Sequence, residues 1–586
     1  MNEINDEKIS RRKFLGLSSS AIAMMSLAGL GFSKGYAKNE PTIAVQDILN
    51  KEYETDVLVI GSGMAGLFAS VKAHDAGARV MMVSKGRLGS SGQTPFAKGI
   101  FSYDESEEKL SMDEFVAKVS RSALGTNNPV FTKQLVKNSY ARVEELRQWG
   151  FFDSPLYNVS FSKPMNERNI PLIERVMITN LIEENGHIIG AAGFSVDEDK
   201  VIIFKAKTIV LCTGAGGFKP NGFPIGDLTH DGTIMAYEIG AKVTGKEWND
   251  GHPGSEKNPA ASFDNWHGMF EQKPSTTSVD IHHDLGVDLN YTAYIKGGPV
   301  QMGPPSKDSS TVAMGGPFVP EEFKRSGPPP GGNKEGGPEG RPPRDEKEGA
   351  GPGMPQGAAV GGSSAGLSIH KSEGLVPIND KCESTIKGLY AAGDALGSYM
   401  SGGIYTQIGS SLAGSAVQGA IAGEAAANYS KEIEFTDIST QKVEAIKTEI
   451  LAPLKRESGF SPAWVTQTLQ GIMIPNFVLY IKKESLLKGA LAYIEELKDQ
   501  NMPLLIASDM HELRLAHETK NMIISAQMKL EASLMRKESR CSHFRLDYPN
   551  MDEKNWQAWI NIYKDEDGQM KLEKQAFGTW PSLKRA

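Results

Sequence analysis

Three glycines stand at the spacing of a phosphate-binding turn, Gly61-Ser62-Gly63-Met64-Ala65-Gly66. In such a turn the first glycine makes a tight bend, the second admits the backbone to a pyrophosphate, and the third lets a helix pack closely on a strand. A helix starting there aims unpaired N–H groups at the phosphate charge. These glycines do that chemistry only between the right elements. Tyr53 to Ile60 is a β-branched apolar run, Leu67 to Ala76 reads as a helix with Ala73 and Ala76 small enough to pack on a sheet, and Arg79 to Ser84 reads as a second strand. Strand, glycine turn, helix and strand form a βαβ dinucleotide-binding unit, with Met64 and Ala65 inside the turn. A generic site ends its second strand in an acid that holds ribose hydroxyls. Here Ser84-Lys85 takes that place, which weakens a general NAD reading.

Composition bounds the rest. The chain has 586 residues with 62 Gly, 31 Pro and 3 Cys, a glycine content above the ordinary ~7%. No Gly-x-y period appears and long apolar runs occur in both halves, so collagen and wholesale disorder are excluded. Cys212, Cys382 and Cys541 lie far apart, with no ligand spacing for zinc, iron–sulfur or haem, so no metal is expected on this chain. The formal charge of −8 and the lack of a basic patch argue against nucleic acid.

Residues 1–37 read as an address. Ser10-Arg11-Arg12-Lys13-Phe14-Leu15-Gly16, a Ser/Gly-rich apolar run and Gly35-Tyr36-Ala37 have the form of a twin-arginine export signal with cleavage after Ala37, which places the mature protein in the periplasm. That route carries folded proteins, so the leader alone predicts a cofactor loaded before export.

Further along the chain the motifs resemble one family, the flavoprotein subunits of fumarate reductase and succinate dehydrogenase, with L-aspartate oxidase and the adenylylsulfate reductase flavoprotein. The similar stretches are Ser84-Lys85, the loop Ser90 to Gly99 with Gln93 and Thr94, the β-meander from Val176 to Phe204, Thr208 to Gly217 with Thr213-Gly214, Asp231-Gly232, and Ile386 to Ala395 with Asp394. Arg536 to Pro549 resembles the family's R-x-E-S-R-G-A-H-x-R-x-D-Y-P signature, with Cys541-Ser542 in place of Gly-Ala. The resemblance implies bound FAD, with Asp394 on a ribityl or ribose hydroxyl. The helix beginning Gly409-Ser410-Ser411-Leu412-Ala413 would aim its N-terminus at the flavin or its phosphate.

The implied fold is α/β: a Rossmann-like FAD-binding domain (52–240 and 365–430), an inserted α+β capping domain (241–364) and a helical C-terminal domain (435–586), in which Ser439 to Lys455, Ala463 to Lys482 and Glu512 to Lys537 show helix-compatible apolar spacing. Within the cap, 18 of the 31 residues from Gly327 to Gly357 are Gly or Pro, a composition read as a weakly ordered excursion.

The resemblance also assigns the substrate side. His252, in Trp248-Asn249-Asp250-Gly251-His252-Pro253-Gly254, and His370, in His370-Lys371-Ser372-Glu373-Gly374, match the family's two site histidines. Tyr405 and Gln407, with Trp248, would line the pocket. The carboxylate-binding arginine expected beside the second flavin motif is missing, because Gly388 to Lys455 contains no Arg. The cap arginine that donates the proton in fumarate reductases has no convincing counterpart either, since Arg325 borders the Gly/Pro tract and Arg341 and Arg344 lie inside it. Fumarate and succinate are therefore not the expected substrates. Gln93 stands in the loop where membrane-bound relatives attach FAD through a histidine, so FAD is expected to be noncovalent. Electrons would pass to or from an iron–sulfur or cytochrome subunit, which alone would bring the protein to a membrane. Alternatives are an enzyme like adenylylsulfate reductase or L-aspartate oxidase, or a flavin electron-transfer subunit without a substrate of its own.

Overall fold

The computed structural model describes residues 35–579 except 98, 105, 107–109, 155, 220–224, 404–408, 475 and most of 253–372. Within that last stretch it describes 254–255, 287, 291, 294–295, 300–302, 311–312, 359–361 and 367–369. The expected leader up to residue 34, the Gly/Pro tract, His370, Tyr405 and Gln407 lie outside the described residues.

The core is a seven-stranded sheet among the described residues. Strand β1 (Tyr36–Lys38) stands apart and pairs with Ser458–Phe460, so the expected cleavage site after Ala37 falls inside a paired strand. The main sheet runs β4 (Leu172–Ile173), β3 (Val80–Val83), β2 (Leu49–Ile60), β7 (Lys200–Leu211), β6 (His187–Ser195) and β5 (Val176–Glu184), and Leu389–Ala391 adds to β7. Its centre is parallel: β2 lies between β3 and β7, and its Val57 to Ile60 are buried. Burial on both faces explains why that run is apolar without alternation. The meander β5-β6-β7 is antiparallel, as expected, and Asn185-Gly186 turns its first hairpin with φ of 53° and 79°. Two successive positive φ values are what a two-residue type I′ turn requires.

Helix α1 (Met64–Asp75) follows the glycine turn, and α2 (Asp231–Glu238) follows the second glycine-rich segment. Helix α3 (Ser410–Ser430) lies against α1 at backbone distance. A Cβ at Gly419 would sit 2.3 Å from the Ala65 carbonyl oxygen, and one at Gly423 would sit 2.2 Å from that of Ala69. Gly423→Leu is therefore expected to lower the melting temperature, since overpacking costs about 1–3 kcal/mol or more. Gly489→Ala, at an open helical position, should raise it slightly, the gain being about 0.5–1 kcal/mol. Thermal melts of the two variants check both signs.

The C-terminal region departs from the sequence reading in three places. The helix expected over Ser439 to Lys455 is two, Thr440–Ile450 and Ala452–Lys455, because Pro453 cannot continue the first. The one expected over Ala463 to Lys482 divides into Pro462–Met473 and Asn476–Leu479 around Pro475, and the chain then pairs as strand Ile481–Lys482. The region also ends in a hairpin, Ala558–Lys564 with Met570–Ala576, which joins β8 (Val243–Thr244) and Gly374–Leu375 in one sheet. The apolar, β-branched and aromatic run Trp559-Ile560-Asn561-Ile562-Tyr563 is the strand signal for it. The long helix α4 (Met510–Met535) agrees with expectation, and Asp509 caps it by accepting from the Glu512 N–H at 2.8 Å.

Candidate functional site

The glycine turn is built as its spacing predicts. Gly61 has φ of 111°, and a Cβ there would lie 2.2 Å from the Cys212 carbonyl oxygen, while one at Gly66 would lie 1.9 Å from that of Gly61. At these two glycines the closest approach of strand, turn and helix is between backbone atoms. Gly63 precedes α1, and the Met64 N–H donates to Oγ1 of Thr94 at 3.1 Å, which brings the Ser90 to Gly99 loop to the helix start. Ala65 is buried beneath Gly419. Ser84 and Ser62 share a 2.7 Å hydroxyl contact across the ends of the two strands.

Lys85 turns into the protein. Its Nζ lies 2.6 Å from Asp231, 2.8 Å from Glu518 and 2.9 Å from Thr229. Burial alone would lower the pKa of this ammonium, but the Asp231 and Glu518 carboxylates outweigh it and raise it. Glu518 also meets Lys219 and, at 3.5 Å, Arg514. Desolvation would raise the Glu518 pKa, yet Lys85, Lys219 and Arg514 bring it down to about 2. Asp231 additionally accepts from Thr229 and Asn521, each at 2.8 Å. Lys85 and Asp231 are thus a cross-link between the cofactor loops and α4.

The same face of α4 continues. Ser525 Oγ lies 2.9 Å from Nδ1 of His230 and 3.0 Å from Nζ of Lys246, and Glu373 lies 2.6 Å from that His230 nitrogen and 3.0 Å from Lys246. Lys529, four residues on, donates to Asn249 Oδ1 and to the Trp248 carbonyl. Burial lowers its pKa to about 7 against the pull of Glu373 and Glu247. Glu518, Asn521, Ser525 and Lys529 recur at three- and four-residue intervals, a buried polar stripe legible as helix periodicity in the sequence.

Lys246 and Glu373 flank, in sequence, the paired strands on which the expected site residue His252 lies. Strand β9 (Asp250–His252) pairs with Leu367–Ile369, His252 standing opposite Leu367. The Lys246–Glu373 ion pair lies four residues below Asp250 and four beyond Ile369. It therefore ties the base of the ribbon on which His252 sits, three residues from His370. Trp248 is not a pocket residue. It is fully buried, edge-on to Trp559 at 4.4 Å, under the Arg536 guanidinium at 5.0 Å, and a Cβ on Gly403 would approach its ring to 2.7 Å. Asp394 is half-buried in the turn Gly393–Ala395 after strand Leu389–Ala391, and Ser410, Ser411 and Leu412 form the first turn of α3.

Comparison with known proteins bears on this geometry. Residues 56–166 match the FAD binding domain family, and residues 466–583 match the fumarate reductase flavoprotein C-terminal family. The chain is an FAD-dependent oxidoreductase of the fumarate reductase and succinate dehydrogenase flavoprotein type. The flavoprotein is 25% identical to an uncharacterized FAD-dependent oxidoreductase of Methanocaldococcus jannaschii over 87% of its length and 96% of that protein. It is 24% identical to one of the subunits of the CoM/CoB fumarate reductase of Methanothermobacter marburgensis, over 85% and 95% of the two chains. In fold it is similar to Mycobacterium smegmatis Sdh1 (TM-score 0.68, 19% identity, 91% and 96% coverage). Adenylylsulfate reductase of Archaeoglobus fulgidus is equally close (0.67, 19%, 94% and 100%).

The residues present fit FAD. Beyond the glycine cradle, two buried polar atoms at the site, Nε2 of Gln93 and Oγ1 of Thr213, have no hydrogen-bond partner among the described residues. Gly214 has φ of 73°, and a Cβ on Gly232 would lie 2.0 Å from that Thr213 oxygen, so the Thr213 side chain packs directly on the glycine that opens α2. A diphosphate over Gly61–Gly66 and a flavin beside Gln93 would use both.

Proposed function

We propose that this flavoprotein is exported to the periplasm, holds FAD noncovalently and exchanges an electron pair between a small molecule other than fumarate or succinate and a separate iron–sulfur or cytochrome subunit. Bound FAD supplies the redox chemistry at its ring. The chain's own residues then orient the substrate, His252 and His370 holding it or giving it a proton, with Tyr405 and Gln407 beside them.

The observation that carries the substrate reading is the fate of the arginines. A dicarboxylate needs planar forked cations, and Gly388 to Lys455 holds none. The arginines of the C-terminal signature are buried and already paired: Arg536 with Glu247 and Glu538 at 2.8 Å each, Arg540 with Glu538 at 2.8 Å, and Arg545 with Asp547 at 2.8 Å. Losing two charge-assisted partners removes roughly 1.5–3 kcal/mol each from dicarboxylate binding. The partner reading rests on the sequence, whose three isolated cysteines have no cluster or haem spacing, and on relatives named as subunits.

Acid precipitation tests the mode of FAD attachment. All flavin is expected in the supernatant as intact FAD, and flavin left on the polypeptide would contradict the Gln93 argument. Purification of the native protein from the periplasm, with identification of what accompanies it, tests export and partner together. A lone protein that makes peroxide from oxygen would favour the oxidase alternative.

A further inference from the structure

The chain from Gly35 to Thr42 is built into the C-terminal region. Strand β1 pairs antiparallel with Ser458–Phe460, Tyr36 opposite Phe460, Ala37 opposite Gly459 and Lys38 opposite Ser458. Hydrogen bonds continue the pairing at both ends: the Ser461 N–H donates to the Gly35 carbonyl at 2.9 Å, and the Asn39 N–H donates to the Glu457 carbonyl at 2.7 Å. Farther on, the Thr42 N–H donates to the Ser508 carbonyl at 2.8 Å. Alternate residues face opposite ways, as a strand requires. Gly35 and Asn39 are buried and Ala37 is half-buried, while Tyr36, Lys38 and Glu40 are exposed. A Cβ on Gly35 would lie 2.8 Å from the Trp464 ring, so the close approach there depends on glycine. Asn39 fastens the segment. Its Nδ2 lies 2.9 Å from the Arg456 carbonyl oxygen, 3.0 Å from that of Ala507 and 3.3 Å from that of Pro453.

The residues turned inward are the ones a leader peptidase would read. Gly35 and Ala37 are the small-x-small pair before the expected cut, and both lie on the side that faces the C-terminal region. A peptidase takes an extended segment into its own cleft through main-chain groups and side-chain pockets. In β1 one main-chain edge is already paired with Ser458–Phe460, and the two small side chains are turned away from solvent. The Ala37–Lys38 bond can therefore be hydrolysed only after the strand detaches, water then supplying the new carboxylate oxygen on Ala37 and the proton on the Lys38 amine. An export route that carries folded proteins presents the peptidase with this strand in place.

We propose that folding withholds the processing site at Ala37, so that the exported chain keeps its leader while β1 is docked and loses it only as the strand opens. This rests on the export reading above. When a segment opens and closes faster than it is cut, cleavage follows the fraction open. A change that loosens the segment without touching Gly35 or Ala37 should therefore speed the cut in proportion.

The test uses the FAD-loaded full chain and two variants. Asn39→Asp sets a carboxylate among three carbonyl oxygens, and Thr42→Pro removes the N–H given to Ser508. Each purified protein is incubated with leader peptidase, and intact mass follows the loss of residues 1–37. The wild type is expected to be cut at least ten-fold more slowly than Asn39→Asp, with Thr42→Pro between them and the FAD content equal in all three. Equal rates would overturn the proposal and leave the address reading standing. If no form is cut, Ala37 is not a processing site, and the proposal falls together with that part of the address. If Asn39→Asp loses its FAD, Thr42→Pro decides by the same comparison. In cells, the chain on the periplasmic side should retain residues 1–37 in the wild type and begin at Lys38 in Asn39→Asp; a wild-type chain beginning at Lys38 there would equally overturn the proposal. A chain confined to the cytoplasm would count against export alone, and the purified proteins would still decide whether the fold protects the bond.

Discussion

Gly66→Ala is expected to purify without flavin. The new Cβ would lie 1.9 Å from the Gly61 carbonyl oxygen and 2.9 Å from its carbon, both backbone atoms of the turn. Neither can rotate aside, so α1 must move away from the strand end. The N–H groups at its start would then miss the pyrophosphate. Each hydrogen bond lost to a charged group costs about 1.5–3 kcal/mol, so two lost bonds correspond to at least a hundred-fold weaker binding. The ratio of flavin absorbance to protein absorbance after gel filtration reads the result. Gly226→Ala, where a Cβ meets nothing within 4 Å, should keep its FAD and serves as the control.

The second large effect belongs to Glu518. Its side chain is fully buried, and removing it with Glu518→Ala leaves Lys85 to Asp231 but takes this buried carboxylate from Lys219 and Arg514. Breaking a buried pair in this way costs about 3–5 kcal/mol, which a denaturant or thermal melt of the holoprotein will show. The same carboxylate predicts an acid limb of stability. Its folded pKa of about 2 lies below the ordinary 4.5, so its contribution is complete above pH 4.5 and is lost as pH falls toward 2. By linkage that contribution is on the order of 3 kcal/mol. Glu518→Gln should flatten the stability profile between those limits, whereas an unchanged acid limb would show that other carboxylates govern it.

Legibility in the sequence followed the range of the interaction. The glycine turn was readable because its constraints are local: a positive φ at Gly61 and a close approach at Gly66 leave a mark on the residues themselves. The central strands were readable from continuous apolar runs. Glu518 was not, because it meets Lys85 across 433 residues, and no local pattern names a partner that distant. The three- and four-residue spacing of Glu518, Asn521, Ser525 and Lys529 along the helix was the available signal. Trp248 misled for a related reason. Its place beside Asn249 and His252 in sequence suggested a pocket wall, but Gly403 and Trp559, both remote in sequence, enclose it in the core. The divided C-terminal helices show apolar periodicity overruled by Pro453 and Pro475, where the backbone cannot continue.

The substrate account meets its most direct test in the reoxidation of the reduced flavin. The holoprotein, reduced anaerobically by one electron pair, is mixed in a stopped-flow instrument with fumarate while the return of the oxidised flavin band is followed. With no arginine from Gly388 to Lys455 and the signature arginines paired in the core, reoxidation is expected to stay at the rate seen in buffer alone. Reoxidation by fumarate at a rate matching a dedicated fumarate reductase would contradict the account.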